Sequence, residues 1–269
     1  MLKLVERDPW LQPYAPAIEG RAAYYRLRLQ TLTERGELSL PEFASGHEWY
    51  GLHRTDDGWV FREWAPNATA IYLVGDCNGW QQRDDFRLTR LDDHGDWELR
   101  LPADALVHGQ HYKLFVHWPG GCGERIPAWA RRVVQNAATA IYSAQVWDPR
   151  VAHYEWKVRS FRPRRSPLLI YECHVGMATE QEKVGTYEEF RTQVLPRVAA
   201  AGYNCLQMMA VHEHPYYGSF GYHVSSFFAP SSRFGTPEEL KHLIDDAHAA
   251  GISVIMDLVH SHAIKNEQE

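Results

Sequence analysis

Between residues 168 and 259 the chain alternates apolar runs with helix patterns, and this alternation restricts its fold more than any other feature. Leu168 to Val175 is an apolar run of strand character. Thr186, with Glu189 three residues on, has the spacing of a capping box and opens a helix to Ala201, which Gly202 closes. Asn204 to Ala210 is a second apolar run, followed by a longer loop to Phe234. Thr236-Pro237-Glu238-Glu239 then places a cap, a first-position proline and a third-position acid ahead of a second helix. Leu240, Leu243, Ile244 and Ala247 form its apolar face, Gly251 ends it, and Ser253 to Val259 is a third run. Near-continuous apolar strands separated by helices predict a parallel sheet. Three strands cannot close an eight-stranded barrel. The pattern therefore predicts a small open sheet or a barrel left unfinished, and polar Lys265 to Glu269 add no further element.

The preceding text has another rhythm. From residue 46 to 155, short polar/apolar alternations such as Trp59 to Trp64, Ala70 to Val74, Trp97 to Leu101 and Tyr112 to Val116 are separated by Gly, Asn and Asp turns. That spacing predicts a β-sandwich. Residues 1–45 look helical, with Asp8 as a cap, Pro9 at a first helical position and Tyr24, Leu27 and Leu29 as apolar contacts. The segment is too small to fold alone and is expected to pack against the strands after it. Pro163, Arg164, Arg165 and Pro167 mark a linker. The expected fold is multidomain, α and β: a helical segment at 1–45, a sandwich at 46–155 and an α/β part at 156–269.

Composition narrows the function classes. Apolar residues make up 45% and charged residues 23%, as in soluble globular proteins. A net charge of −6 with no basic block argues against a nucleic-acid partner, since phosphates need a positive patch. The densest basic stretch, Arg159 to Arg165, reads as a solvated linker. Cys77, Cys122, Cys173 and Cys205 are scattered, with no CxxC pair, which suits reduced thiols. Met1 to Trp10 is too charged for a secretory signal, and no run approaches the ~20 apolar residues of a membrane span. A cytoplasmic protein without membrane partners is expected. Ten Trp and fourteen Tyr serve either as core or as platforms for flat apolar faces such as those of sugars.

Ligand groups in parallel α/β folds gather at the C-terminal ends of strands. Here those ends carry Glu172 and His174, then His212, Glu213 and His214, then Asp257, His260 and His262; the long loop adds Tyr216, Tyr217, Tyr222 and His223. Such groups donate and accept hydrogen bonds and suit hydroxyl-rich ligands. For His212, His214 and His260 an ordinary loop role competes with a ligand role. Asp257 is harder to explain away, because a charge after an apolar strand must be solvated or paired. His260-x-His262 also allows a metal reading, but the pair follows the strand and no HExxH helix is present. No metal or cofactor is expected.

The α/β segment resembles the glycogen- and starch-branching enzymes of the α-amylase superfamily, of the eukaryotic type. The matching text is Tyr171-Glu172-Cys173-His174-Val175-Gly176, Gly202-Tyr203-Asn204-Cys205, His212-Glu213-His214, Phe220-Gly221-Tyr222, the stretch from Ser225 to Leu240, and Asp257-Leu258-Val259-His260-Ser261-His262. In the sandwich, Glu63-Trp64-Ala65-Pro66 and Gly75-Asp76-Cys77-Asn78-Gly79-Trp80 resemble the carbohydrate-binding module of such enzymes, with Cys77 where Phe is usual. Asp8 to Tyr14 fits the family's helical start. The resemblance implies an α-glucan partner (glycogen, amylopectin or amylose) and, for the intact enzyme, retaining cleavage of α-1,4 links with α-1,6 rejoining. It implies that the α/β part is the first three units of a (β/α)8 barrel. It assigns stacking on the bound sugar to Tyr222, hydrogen bonds to that sugar to Asp257 and His262, and glucan contact to Trp64 and Pro66, with Trp80 and Trp97 in the core. The family's catalytic acids lie on later barrel strands, and no residue here matches them. The chain is therefore expected to bind glucan without catalysis. Alternatives are a dedicated glucan-binding protein or a small metal hydrolase on His260 and His262. Residues 46–155 are expected to fold independently, and 156–269 to aggregate or be partly disordered alone.

Overall fold

The computed structural model describes residues 3–163 and 167–264; the expected linker residues Arg164 and Arg165 and the tail from Lys265 lie outside the described residues. Two compact units divide between Trp49 and Tyr50. The first is helical: α1 (Lys3–Arg7), a 3-10 turn over Pro9–Tyr14, α2 (Ala15–Leu32), α3 (Leu40–Phe43) and α4 (Gly46–Trp49). Asp8 caps the 3-10 turn by accepting from Trp10 N at 3.1 Å. Among the described residues no helix is long and apolar enough to cross a membrane.

The second unit begins with two antiparallel sheets. One has the order β1 (Gly51–Arg54), β2 (Gly58–Trp64), β5 (Asp96–Pro102), β4 (Thr89–Arg90). The other runs β3 (Ala70–Gly75), β6 (His111–Trp118), β9 (Tyr142–Gln145), β8 (Val133–Gln135), with β7 (Gly121–Arg125) also on β6. Alternate residues point to one face of a strand. Trp59, Phe61, Trp97, Leu99 and Leu101 of the first sheet thus meet Ile71, Leu73, Tyr112, Leu114 and Tyr142 of the second in one core.

The α/β part comes next. β10 (Ile170–Cys173), β11 (Cys205–Met208) and β14 (Ser253–Met256) are parallel and adjacent in that order. Tyr171, Cys173, Leu206, Met208 and Val254 face the helices. Both expected capping boxes form: Glu189 N donates to Thr186 Oγ1 at 3.1 Å, and Glu239 N to Thr236 Oγ1 at 3.2 Å. The first helix differs from a regular one. It runs α5 (Tyr187–Glu189), a π turn at Phe190–Val194, then α6 (Leu195–Ala200), with Leu195 N bonded to Phe190 O. Pro196 explains this, because its ring displaces the carbonyl one turn back and it has no N–H to give. The second helix, α7 (Pro237–Ala249), buries Leu240, Leu243 and Ala247 as its sequence pattern predicts.

The stretch before α7 is more ordered than a loop. β12 (His212–Glu213) and β13 (Ser226–Pro230) pair antiparallel with a bulge, because a backbone packed inside must find partners. Ala229 of β13 enters the sandwich core. Arg233 Nη2 bonds Tyr142 Oη at 2.8 Å, Trp147 Nε1 bonds Glu238 at 3.1 Å, Arg132 bonds Gly235 O, and Phe228 stacks on Trp129 at 4.2 Å. Residues before the expected linker also lie down on α7. Asp245 accepts from Tyr154 Oη, Lys157 N and Val158 N at 2.7, 2.8 and 2.9 Å, and Phe161 stacks on His248 at 4.1 Å.

Candidate functional site

The backbone ladder of the parallel sheet continues one step past β14, where Asp257 N donates to Met208 O at 3.1 Å. The Asp257 carboxylate therefore stands at the C-terminal edge of the sheet. Tyr222 Oη donates to its Oδ2 at 2.9 Å and Gln207 Nε2 to its Oδ1 at 3.0 Å. Burial, the hydrogen bond to Asp257 and the charges of Asp257 and Glu172 push the Tyr222 hydroxyl up to about 12. It remains a donor at neutral pH. The preceding turn aims Tyr222: Phe220 and Gly221 have φ of +55° and +87°, and a Cβ on Gly221 would lie 2.0 Å from Ala210 O. Only glycine fits there. His262 is exposed, on a turn tied back by Ile264 N to Val224 O at 3.0 Å, and takes no part in the Tyr222–Asp257 bond. His260 stacks on Phe227 at 5.5 Å. Among the described residues no three His, Cys, Asp or Glu side chains are grouped to hold a metal.

A second polar surface lies on the sandwich. Trp64, at the end of β2, is 57% exposed, and its Nε1 donates to His94 O at 3.0 Å. Pro66 is half-buried two residues on, and Gly95 at φ +103° lets the 92–95 turn close against it, since a Cβ there would be 2.3 Å from Pro66 Cα. Trp97 is a core residue, as expected, with Nε1 donating to Ala65 O at 3.0 Å.

Trp80 is not in the core. It is 40% exposed, with φ of +62° directly after left-handed Gly79, so the chain has left the β3 ladder and turned the indole outward. Its Nε1 donates to Asp76 Oδ1 at 3.0 Å, and Asp76 Oδ2 accepts from His111 N at 2.7 Å. Beside it opens a cleft of about 330 Å³ walled by Asp76, His111, Lys113, Asn136 and Ile141. Lys113 is nearly buried and pairs with Glu124 at 3.0 Å. An indole face ringed by fixed donors and acceptors is suited to a sugar ring. The signal for this in the sequence is the Asn78-Gly79 turn before Trp80, which takes the indole off the strand. Cys77 packs against the sandwich core.

Residues 49–130 match the family Carbohydrate-binding module 48 (Isoamylase N-terminal domain), and residues 184–268 match Alpha amylase, catalytic domain. The 1,4-alpha-glucan-branching enzyme of Dictyostelium discoideum is 44% identical over 271 residues, which is 98% of this chain and 39% of that protein. The enzyme of the same name from Equus caballus is 42% identical over 277 residues, 99% of this chain and 38% of its own length. By sequence, the chain is similar to the 1,4-alpha-glucan-branching enzymes along almost all of its length. It spans about two fifths of the length of these curated relatives and corresponds to their N-terminal part. Among solved structures, a putative alpha amylase from Salmonella typhimurium (TM-score 0.62, 23% identity, 80% of this chain and 34% of that one) shares the fold. So does a pullulanase from Bacillus acidopullulyticus (TM-score 0.65, 21% identity, 80% and 30%).

Not every polar residue at the strand ends faces outward. The sequence positions of His174, Glu213 and His214 put them on the ligand side, and the structure buries all three. Glu213 is fully buried, with Oε2 accepting from Ser232 N at 2.6 Å and Oε1 from His214 N at 3.1 Å. Burial raises its pKa, partly offset by those hydrogen bonds. It ties the β12–β13 segment together. His174 accepts from Met177 N at 3.2 Å and is ringed by Tyr217, Phe220 and Phe234. Burial lowers the pKa of His174, His212 and His214 alike.

Proposed function

We propose that these 269 residues form the glucan-holding part of a branching enzyme, with the α/β part supplying the first three units of a (β/α)8 barrel. The observation that carries this reading is the Tyr222–Asp257 hydrogen bond of 2.9 Å at the C-terminal edge of the parallel sheet, where such folds bind ligands. Tyr222 stacks on a glucosyl ring there, and Asp257 and His262 take its hydroxyls. Trp64 and Pro66 touch glucan on the sandwich, and the Trp80 cleft is a further contact for the same polymer. The scattered free thiols suit a reducing cytoplasm.

In this reading the 269 residues bind but do not cut. Retaining hydrolysis or transfer needs two carboxyl groups about 5–5.5 Å apart across the bond. Glu213 is buried and committed to two backbone N–H groups, so it cannot partner Asp257. Co-sedimentation with glycogen is the test. The chain is expected to be retained, Trp80→Ala and Trp64→Ala are each expected to weaken retention about tenfold for a lost stacking face, and amylose incubated with the pure chain should keep its iodine colour. Retention unaffected by both substitutions would remove the sandwich from the reading. Loss of iodine colour well above background would remove the claim of binding without cutting.

A further inference from the structure

β11 is the central strand of the parallel sheet, and its neighbours dictate what each residue should be. Leu206 and Met208 are fully buried against the helices, so Gln207 must face the other way, in register with Glu172 and Ile255. A central parallel strand is ordinarily apolar throughout. A primary amide here breaks that local rule, and such breaks in natural sequences concentrate where function needs them. The amide is also not idle: its Nε2 donates to Asp257 Oδ1 at 3.0 Å.

The geometry points to Gln207 as a positioning residue for Asp257, rather than a group that itself touches sugar. The Asp257 backbone is fixed by its bond to Met208 O, which leaves the carboxylate free to turn about its side-chain torsions. Two donors from different elements remove that freedom, the Gln207 amide on Oδ1 and the Tyr222 hydroxyl on Oδ2. A carboxylate has about four acceptor sites. With one used on each oxygen, each keeps one for an incoming hydroxyl in a preset direction. The amide must present its NH2, because an ionised carboxylate only accepts. Shape alone therefore cannot replace it. This inference rests on the reading of Tyr222 and Asp257 as a sugar-holding pair.

Two measurements on the 269-residue chain separate the positioning role from that reading. In the sugar-free protein, NMR exchange of the Tyr222 hydroxyl proton reports whether Asp257 is held. Gln207→Met, of similar shape but lacking the donor, and Gln207→Leu should each speed that exchange about tenfold, while Gln207→His, which can still donate, should restore part of the protection. Unchanged exchange in both donor-less variants, with unchanged melting temperature, overturns the proposal. Maltoheptaose titration followed at the Tyr222 ring signals then gives a site-specific affinity. Gln207→Met should weaken it about tenfold, and should add nothing in an Asp257→Asn background; losses that simply multiply indicate a role apart from Asp257 and overturn the proposal too. If Tyr222 signals do not respond to maltoheptaose in the parent chain, the sugar reading fails, and the hydroxyl exchange still decides whether Gln207 positions Asp257.

Discussion

Replacing Asp245 with Ala should destabilise the second unit severely, although its hydrogen bonds go to Tyr154, Lys157 and Val158 and to none of the candidate sugar-binding residues. Asp245 is fully buried on α7 and receives three donors, Tyr154 Oη at 2.7 Å, Lys157 N at 2.8 Å and Val158 N at 2.9 Å. These bonds are part-buried, and a donor left without a partner costs about 1–3 kcal/mol where solvent cannot reach it. Some relief comes from Lys241 O, which lies 3.4 Å from the Tyr154 hydroxyl, so the expected loss is about 3–5 kcal/mol, the usual range when one member of a buried charged network is removed. For a unit of this size that is a fall in Tm of about 6–20 °C. The damage should be local first, with Lys157 and Val158 amides losing hydrogen-exchange protection before the sandwich core does. Asp245→Asn keeps one acceptor oxygen and should cost about 1–2 kcal/mol. The pH dependence gives a further check. Burial pushes the Asp245 carboxyl up, but the hydrogen bonds from Lys157, Tyr154 and Val158 outweigh it and hold the pKa below the usual value of 3.8. A carboxyl lowered on folding adds stability that is fully present above its unfolded pKa and is lost as pH falls through the folded one. The gap between the parent and Asp245→Asn should therefore be widest near neutrality and close in acid below about pH 4. A Tm within about 2 °C of the parent for Asp245→Ala, with both amides still protected, would refute the reasoning.

Glu63 should show the opposite pH trend. Burial pushes its carboxyl up to about 7 against hydrogen bonds from Trp64 N and Ala128 N, so the folded state binds the proton more tightly and stability is present at low pH and lost as pH rises from about 4.5 through 7. Denaturant titrations should show the parent losing up to about 3 kcal/mol relative to Glu63→Gln between pH 4.5 and pH 8, and a flat difference would show that the carboxyl is not perturbed. Gly221→Ala should cost about 2 kcal/mol or more by thermal melting, from its left-handed backbone and the collision with Ala210 O, and should shift the Tyr222 ring signals; an unchanged Tyr222 spectrum would mean that the turn does not aim it.

What is legible in the sequence is what is decided locally. The capping boxes at Thr186 and Thr236 form as expected because a cap and its acid are three residues apart and see one another whatever the rest of the chain does. The parallel sheet is legible from its apolar runs, although each strand is four residues rather than the longer run that the sequence suggests. The π turn is hidden because the helix period runs on through Pro196. The burial of Glu213 is not legible, since one of its partners, Ser232 N, lies nineteen residues away across the β12–β13 pairing. Trp80 reads as core only if an aromatic after a strand is counted with the strand, while Gly79 has already turned the chain. At the sheet edge, Tyr222 and Asp257 can be paired from their motifs, but Gln207 cannot, because its role exists only across the register of two strands.

The segment before the expected linker bears most on how the two halves of the second unit work. Prolines and arginines suggest a solvated linker, and a loose linker would let the sandwich fold and move independently. The described residues argue for a fixed connection. Tyr154, Lys157 and Val158 are held by a buried carboxylate, and Phe161 lies flat on His248 at an interplanar angle of 4°. Ala229 from the α/β side completes the sandwich core, Phe228 continues the Tyr50–Trp129 stack, and Arg233 bonds the hydroxyl of buried Tyr142. Cutting the chain after residue 155 would uncover core side chains and leave the Tyr142 hydroxyl without this donor. The sandwich is thus a module by its strand order but not by its packing, and a glucan held against Trp80 would stand at a set distance and direction from Tyr222 instead of on a tether.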